Sequence, residues 1–358
     1  MIACAQVKPR SVAERKLGVG VIGLGVGAQH ARAFAAHPSC QLTALCDRNG
    51  AKLDDVASRF AGVGRYADAA ELIADPNVEI VAVASNDDDH AEQIVAALRA
   101  GKHVFSEKPL CLTKEQLASI KRAWRAAGQV RLSTNTLLRR SPRFQWLKAA
   151  LDAGKLGTVF CIEADYIYGR FHKLTGGWRG QIPGYSVMLG GGIHVVDLVL
   201  WLSGQRPVEV VAYSSDLGSR GSAFQGVDLV MALLRFESGL VAKIGANFAS
   251  HYAHFHRFFV YGTDGTFENV PAAAGPGALF WQGRDGPPPQ RIDKAYPAVE
   301  KGALIPAFVD AVLGRGQPDI VEEEVFACVE TCLAIDRSAA ESRPVRVDEG
   351  AAAMVSTS

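Results

Sequence analysis

The segment Leu17-Gly18-Val19-Gly20-Val21-Ile22-Gly23-Leu24-Gly25-Val26-Gly27-Ala28 places an apolar run directly before a cluster of glycines. Residues 17–22 are typical of a strand, and residues 29–36 predict a helix. A strand, a glycine turn and a helix form the context in which G-x-G-x-x-[GA] binds a dinucleotide. Gly23 allows the tight turn, and Gly25 lets backbone N–H groups approach a pyrophosphate at the helix N-terminus. The predicted cofactor loop is Gly23, Gly25, Val26, Gly27 and Ala28, with Ala28 or Gly27 as the third small residue, where the helix packs on the strand.

A second predicted strand, residues 41–46, ends at Asp47, which follows Gly25 by 22 residues. A carboxylate at this spacing binds the adenosine ribose of a dinucleotide. Its oxygens accept hydrogen bonds from a diol and repel a 2′-phosphate, so Asp47 favours NAD over NADP. Arg48 can pair with such a phosphate, so NADP stays an alternative cofactor. The structural alternative for Asp47 is a helix N-cap.

Further strand–helix units extend this pattern to residue 134. A near-continuous apolar strand at 79–84 is typical of a buried parallel strand. It ends in the turn Ser85-Asn86-Asp87-Asp88-Asp89-His90, and we interpret the three aspartates as a polar loop and N-cap cluster. Helices at 90–100 and 113–127 and a strand at 130–135 follow. This alternation predicts a doubly wound parallel sheet.

The stretch Ala100-Gly101-Lys102-His103-Val104-Phe105-Ser106-Glu107-Lys108-Pro109-Leu110 contains a short strand that ends at a lysine. The carboxyl ends of parallel strands are where ligands bind in such sheets. Lys108 there offers a positive charge and three donors to an oxygen that becomes negative. The alternative is a solvated lysine in a turn.

After residue 135 strands dominate the pattern. We predict an α+β domain at 135–345 with a large, mostly antiparallel sheet, after a dinucleotide-binding domain at 17–134 and between flexible ends at 1–16 and 346–358. The strand at 227–234 is apolar on both faces, which indicates that both faces are covered, one by helices and the other by a second subunit. The predicted strands are 158–168, 208–215, 227–236, 240–249, 256–262 and 279–282; the predicted helices are 144–153, 306–314 and 322–338; the predicted loop is 283–291.

The stretch 100–110, with the glycine loop, Asp47 and the turn at 85–90, resembles the glucose–fructose oxidoreductase / inositol dehydrogenase (Gfo/Idh/MocA) family over about residues 18–345. The resemblance implies an NAD(P)-dependent enzyme that moves a hydride between nicotinamide and a secondary alcohol of a sugar, cyclitol or nucleotide-sugar. It implies a homodimer or homotetramer through the C-terminal sheet. One departure is that His30 follows Gly23 by seven residues, where the family usually has eight. Ser85, Asn86, His90, Glu107 and Lys108 join the expected cofactor-binding residues.

A second stretch, Gly190-Gly191-Gly192-Ile193-His194-Val195-Val196-Asp197-Leu198, matches a glycine-led family helix. We expect its glycines to leave room for a ligand and His194 to act as the acid/base beside Lys108. The family usually has an aspartate four residues before this histidine, but here the residue is Gly190. Asp197 matches an aspartate of the family's helix. It is a candidate substrate contact, but a structural role is favoured. The other expected substrate contacts are Trp178, Arg179, Tyr166 and, more weakly, Tyr168.

His251, His254 and His256 form a histidine cluster, which we place at the rim of a substrate pocket and not at a metal site. Two other functions stay open. The missing aspartate allows a regulatory protein that binds the cofactor without turnover, and a separate alternative is an NAD-retaining glycosidase or lyase.

Composition limits the class of protein. The chain has 358 residues and a net charge of +1, which favours two domains and argues against a nucleic-acid partner. No run reaches the ~18 apolar residues of a membrane span, and residues 1–16 lack the apolar centre of a secretory signal. Seven scattered cysteines without a C-x-x-C pair are typical of a reduced, cytoplasmic protein.

Overall fold

The first part of the chain folds as a six-stranded parallel sheet, which confirms the predicted doubly wound architecture. The computed structural model describes residues 15–270, 277–283 and 286–347. The strand order β3-β2-β1-β4-β5-β6 reverses between β1 and β4, and ligands bind at such a switch point. The elements are β1 Leu17–Ile22, α1 Gly27–Ala36, β2 Cys40–Cys46, α2 Gly50–Ala57, β3 Gly64–Tyr66, α3 Ala69–Ala74, β4 Ile80–Val83, α4 His90–Arg99, β5 His103–Ser106, α5 Lys114–Ala127 and β6 Leu132–Thr134.

The second part forms a nine-stranded sheet in the order β14-β13-β12-β11-β7-β10-β9-β8-β15. Strands β7 and β10 are parallel, and every other neighbouring pair is antiparallel, as predicted. Its elements are α6 Pro142–Asp152, β7 Val159–Ile167, α7 His172–Thr175, α8 Ile193–Ser203, β8 Pro207–Ser215, β9 Leu229–Phe236, β10 Val241–Asn247, β11 Phe255–Gly262, β12 Gly265–Asn269, β13 Ala278–Gln282, β14 Gln290–Ile292, α9 Ile305–Val312, α10 Glu322–Glu341 and β15 Val345–Arg346.

The predicted strands agree with the observed ones within a few residues, but three short strands escaped prediction. β14 lies at the end of the segment 283–291, which we predicted as a loop from its glycines and prolines. It is a three-residue strand that pairs only with β13. Strands this short carry too few residues to show alternation. The missed strands are β12, β14 and β15.

One face of the nine-stranded sheet is covered by α8 and α10, and the described residues leave the opposite face open. In β9, buried residues alternate with exposed ones, so Met231 and Leu233 point outward. We expected both faces of the sheet to be covered, but in the single chain only one face is. We call the other the open face. Its exposed apolar side chains are Tyr213, Met231, Leu233, Val241 and Trp281.

The last two helices return to the first sheet. The ring of Phe308 in α9 lies 5.4 Å from that of Phe105 in β5, centre to centre. Glu322, at the start of α10, accepts a hydrogen bond from the Leu132 N–H at 3.1 Å, and Lys121 on α5 pairs with Glu330. The two parts of the chain thus pack closely, while the exact domain limits stay a prediction.

Two further predictions concern the chain as a whole. Among the described residues, no helix has both the length and the apolar content that crossing a bilayer requires. The six described cysteines are free thiols. Most of the predicted flexible ends lies outside the described residues.

Candidate active site

The glycine loop after β1 has the shape that a pyrophosphate requires. Gly23 has φ of +82°, and a Cβ there would lie 2.4 Å from the Ala84 carbonyl oxygen. A Cβ on Gly25 would meet no atom within 4 Å, so the backbone is open to a ligand. On Gly27 a Cβ would approach Val21 and Ala84 to 3.1 Å. Gly27, and not Ala28, therefore takes the third position, where the helix packs on the sheet.

Asp47 lies at the end of β2 and accepts three hydrogen bonds. Its oxygens accept from the N–H groups of Leu24 (2.8 Å) and Asn49 (2.9 Å) and from the Lys52 ammonium (2.9 Å). Burial alone would raise the pKa of Asp47, but these donors outweigh it and lower the pKa. The N-cap alternative is wrong, because Asn49 caps α2.

A cleft of about 940 Å³ joins the glycine loop to the ends of β4 and β5. Most predicted cofactor residues border it, and so do Trp178 and Arg179. Sequence reasoning missed Asn49, Lys52 and Gln93, which have no position in a short motif. The predicted residues that line the cleft are Gly23, Gly25, Val26, Asp47, Arg48, Ser85, Asn86, Glu107 and Lys108.

His90 was predicted to contact the cofactor, but it is fully buried and does not line the cleft. Its Nδ1 lies 2.7 Å from the Pro109 carbonyl oxygen and its Nε2 lies 3.2 Å from that of Ser85. It therefore ties together the two turns that follow β4 and β5. Gly27 and Ala28 also stay outside the cleft lining.

Lys108 connects the first sheet to the helix that carries His194. Its ammonium is buried and donates a hydrogen bond to the Gly190 carbonyl oxygen. Burial lowers the pKa of Lys108 to about 8, although the charge of Asp87 acts in the opposite direction. The solvated-turn alternative is therefore wrong.

The neighbouring Glu107 is held by a separate network. Its Oε1 lies 3.1 Å from His30 Nε2 and accepts a hydrogen bond from Asn135 at 2.7 Å. Burial would raise the pKa of Glu107, but His30, Lys301 and Asn135 together hold it below its usual range. His30 thus fixes the segment that presents Lys108.

Asp87 is a site residue that the sequence did not reveal. Asp87 is buried, and its Oδ2 has no hydrogen-bond partner among the described residues. The same oxygen lies 3.8 Å from Arg179 Nε, close enough for an ion pair. Burial raises its pKa against the opposing charges of Lys108 and Arg179. The three aspartates lie in the turn before α4, as interpreted. Asp89 holds the N-cap position, but its side chain does not cap the helix and pairs with Arg48 at 2.5 Å.

His194 lies in the first turn of α8, against a wall of aromatic rings. It stacks on Tyr166 with ring centres 6.0 Å apart, and His256 is 6.4 Å away. Burial, and then the charges of Lys108 and Lys301, lower the pKa of His194 well below its ordinary value. The imidazole is therefore neutral near pH 7 and able to accept a proton.

The three glycines before His194 form a π-helical turn, Met188–Gly192. A Cβ on Gly191 would lie 2.4 Å from the Tyr166 ring, and one on Gly192 would lie 2.4 Å from the Met188 sulfur. The expectation that these glycines leave room for a ligand is wrong at both positions. They let α8 pack against the protein's own side chains.

Asp197 was a candidate substrate contact, but it is only 1% exposed and binds Arg139 through both oxygens, at 2.7 and 2.9 Å. It is therefore structural. Arg179, in contrast, faces the cleft with its guanidinium 4.2 Å from the Trp178 ring centre.

Two of the three clustered histidines, His254 and His256, pack against the aromatic rings around Tyr166, whereas His251 is exposed. His254 Nδ1 lies 3.1 Å from the Ile167 carbonyl oxygen, and His256 is paired with the Tyr296 hydroxyl. Both also contact Tyr166 edge-on. In the described part of the chain no three His, Cys, Asp or Glu side chains could hold a metal ion.

Comparison with known proteins assigns both parts of the chain. The oxidoreductase family with an NAD-binding Rossmann fold matches residues 17–136, and the GFO/IDH/MocA C-terminal domain matches residues 144–268. This chain belongs to the Gfo/Idh/MocA oxidoreductase family.

Gfo/Idh/MocA relatives with similar sequences act on sugars and cyclitols. The 1,5-anhydro-D-fructose reductase of Ensifer adhaerens is 32% identical over 296 residues, which cover 81% of this chain and 86% of that protein. The myo-inositol 2-dehydrogenase of Thermotoga maritima is 30% identical over 263 residues, which cover 69% of this chain and 73% of that protein. Levoglucosan dehydrogenase, solved with NADH and levoglucosan, shares the fold with a TM-score of 0.80 at 22% identity, covering 94% of this chain and 100% of that one.

Proposed function

We propose that this protein is an NAD-dependent oxidoreductase that interconverts a secondary alcohol of a sugar or cyclitol and the matching ketone. The observation that carries this proposal is the placement of Lys108. It extends from the cofactor cleft to Gly190, one helical turn from His194. The named activities of the relatives support the substrate class.

The cleft fits a dinucleotide. The open backbone at Gly25 suits a pyrophosphate, and Asp47 has acceptor capacity for a ribose diol because a carboxylate has about four acceptor sites. Ser85, Asn86 and Lys108 line the far end, where we place the nicotinamide. When bound, NAD supplies the acceptor for the hydride.

The protein's own groups handle the proton and the charge. Lys108 is protonated at neutral pH and stabilises negative charge on the reacting oxygen. His194 is neutral and takes the proton of the alcohol. Trp178, Arg179 and Tyr166 border the space around these groups and orient the substrate.

The first test is turnover. Myo-inositol and levoglucosan with NAD, and 1,5-anhydro-D-fructose with NADH, are followed by nicotinamide absorbance, and each is repeated with NADP or NADPH. Lys108→Ala should lower kcat by about two orders of magnitude, as for loss of a preorganised oxyanion donor, with little change in NAD affinity. The matched control is Lys155→Ala at an exposed lysine.

Two outcomes would contradict this function. Product formed without net NADH would favour the NAD-retaining lyase or glycosidase. Tight NAD binding without turnover of any probe would favour the regulatory protein. Normal turnover in Lys108→Ala would remove Lys108 from the chemistry.

We also propose that a second copy of the chain covers the open face, giving a homodimer or a homotetramer. The support is its set of large exposed apolar side chains, centred on Met231 and Leu233. The cytoplasmic location expected from the cysteine pattern stays a prediction.

A further inference from the structure

Tyr185 occupies the space that a side chain at position 190 would need. A Cβ built on Gly190 would lie 1.9 Å from the Tyr185 hydroxyl oxygen and 2.5 Å from the ring carbon that bears it. Position 190 is also where Lys108 binds the backbone carbonyl. The phenol of Tyr185 therefore lies against the residue whose carbonyl Lys108 binds, at the place where the aspartate expected from the family pattern is missing.

The Tyr185 hydroxyl has no hydrogen-bond partner among the described residues, although the side chain is only 5% exposed. Asp87 Oδ2 and His194 Nδ1 are also buried and without a hydrogen-bond partner among the described residues, although Asp87 Oδ2 lies 3.8 Å from Arg179 Nε. A buried polar atom without a partner is unfavourable. The three atoms belong to residues around Lys108, so a molecule with several hydroxyl groups bound there would give them partners.

The position of Tyr185 is enforced by the segment that follows it. Ser186 donates a hydrogen bond to Asp336 on α10 at 2.6 Å and accepts one from the Leu189 N–H at 2.9 Å. The Tyr185 ring packs edge-on to Phe248, with centres 6.5 Å apart. Tyr185 is therefore anchored to the core and is not part of a freely moving loop.

We propose that Tyr185 is a substrate-positioning residue of the active site, and that its hydroxyl hydrogen-bonds a hydroxyl group of the bound sugar or cyclitol beside Lys108. This inference rests on the proposed function. Tyr185 replaces an expected carboxylate by a neutral group, so the site gains a donor without a negative charge. Burial raises the pKa of Tyr185, with Asp87 acting in the same direction, so the phenol keeps its proton throughout the working range of the enzyme.

The direct test is Tyr185→Phe, which removes only the hydroxyl. We expect kcat/KM for the best of the three probes to fall by about 10- to 100-fold, as for loss of one strong hydrogen bond. NAD affinity and Tm should stay at the native values. The matched control is Tyr213→Phe, whose hydroxyl lies on the opposite face of the nine-stranded sheet.

A second test exchanges the two side chains. Gly190→Asp alone should be inactive or unstable, because the new side chain collides with Tyr185. Tyr185→Ala combined with Gly190→Asp makes room, and we expect at least ten times the kcat/KM of Tyr185→Ala alone. A Gly190→Asp variant as stable and active as the native protein would overturn the proposal.

The exchanged variant also carries a pH signature that packing alone would not produce. The charged groups that face His194 are Lys108, Lys301, His256 and Glu107. A carboxylate added at 190 favours the imidazolium and raises the pKa of His194. The low-pH limb of kcat/KM should therefore move to higher pH in the double variant. An unmoved limb would show that residue 190 does not face the catalytic groups.

Binding of the probes can be measured without turnover. The measurement therefore distinguishes failure of the Tyr185 proposal from failure of the proposed function. Each probe is added to the protein–NADH complex, and the rise in Tm is recorded for native protein and for Tyr185→Phe. A rise in native protein that is reduced in Tyr185→Phe supports the inference even where turnover is absent. Equal rises, or equal kcat/KM in an active enzyme, overturn the role of Tyr185 and leave the proposed function intact. If no probe raises the Tm of the native complex, both proposals fail.

Discussion

At the cofactor cleft a single carboxylate, Asp47, holds the glycine loop, the start of α2 and the Lys52 ammonium together. Asp47→Ser removes the acceptor for a ribose diol and frees Lys52. We expect NAD binding to weaken by about 1–3 kcal/mol and NADP binding to strengthen. Fluorescence titration of each nucleotide measures both changes.

In that experiment, variants of Lys52 and Arg48 show which of the two cations provides the gain in NADP affinity. Lys52→Gln in the Asp47→Ser background should abolish the gain, whereas Arg48→Gln should matter less because Arg48 is paired with Asp89. If the native protein already prefers NADP, the role of Asp47 at the ribose is wrong.

The protonation states of Lys108 and His194 determine how kcat/KM depends on pH. Lys108 must be charged, so kcat/KM for alcohol oxidation should fall as pH rises through about 8, its pKa. His194 must be neutral, so the rising limb should lie well below pH 6.5 and vanish in His194→Ala. Steady-state kinetics from pH 5 to 10 measure both. A rate that rises through pH 8 would instead make neutral Lys108 the base.

Sequence reasoning at this scale could name residues whose type has a fixed place in a motif. Gly23, Asp47 and Lys108 were named for that reason and all line the cleft, while their roles stay predictions. The falling limb that we expect at high pH could not be predicted from the sequence, because burial of Lys108 depends on its contact with residue 190. Asp87 could not be told from Asp88 and Asp89, since only the backbone turn decides which of the three points inward.

At the scale of elements, α8 depends on the buried pair between Asp197 and Arg139. Asp197→Ala leaves the buried guanidinium with Glu324 as its remaining carboxylate partner, at 2.8 Å. We expect the free energy of unfolding to fall by about 3 kcal/mol, near the lower end for breaking a buried ion pair. Urea unfolding followed by circular dichroism measures this loss.

The matched control breaks a solvent-exposed pair. Asp216→Ala removes the partner of Arg220 and should change stability by less than about 1 kcal/mol. A raised KM in Asp197→Ala, measured where the variant is fully folded, would contradict the structural role and restore Asp197 as a substrate contact.

Helices and strands with a clear period were predicted within a few residues, including α5 and the strands from β7 to β11. The π-helical turn at 188–192 was not predicted, because a run of glycines carries no periodicity. Glycine is needed at position 191 because side chains far along the chain, such as Phe248, fill the space that a Cβ would take.

For the whole molecule, the open face gives a test of assembly. Native protein should sediment as a dimer or a tetramer. Leu233→Glu places a charge among exposed apolar side chains and should produce a folded monomer. Sedimentation velocity gives the mass, and circular dichroism checks the fold.

The control for this experiment is Leu217→Glu, which changes an exposed leucine in the loop after β8, 66% exposed against 50% for Leu233. It should leave the mass of the native assembly unchanged. A native protein that stays monomeric at micromolar concentration would contradict the proposed assembly.

The two-part architecture followed from the change of pattern near residue 135, but the return of α9 and α10 to the first sheet did not. Amphipathic helices show which side is apolar and not which partner covers it. Leu132, Ser133 and Phe105 all find partners in residues 308–322.

This return has a consequence for synthesis of the protein. On the ribosome, the first sheet emerges long before the residues that cover its last two strands. Until residues 308–322 have left the exit tunnel, Phe105 and the edge at Leu132 stay without those partners. The nascent chain therefore passes through a long interval with an unfinished first sheet, in which chaperones that bind apolar segments have access to it.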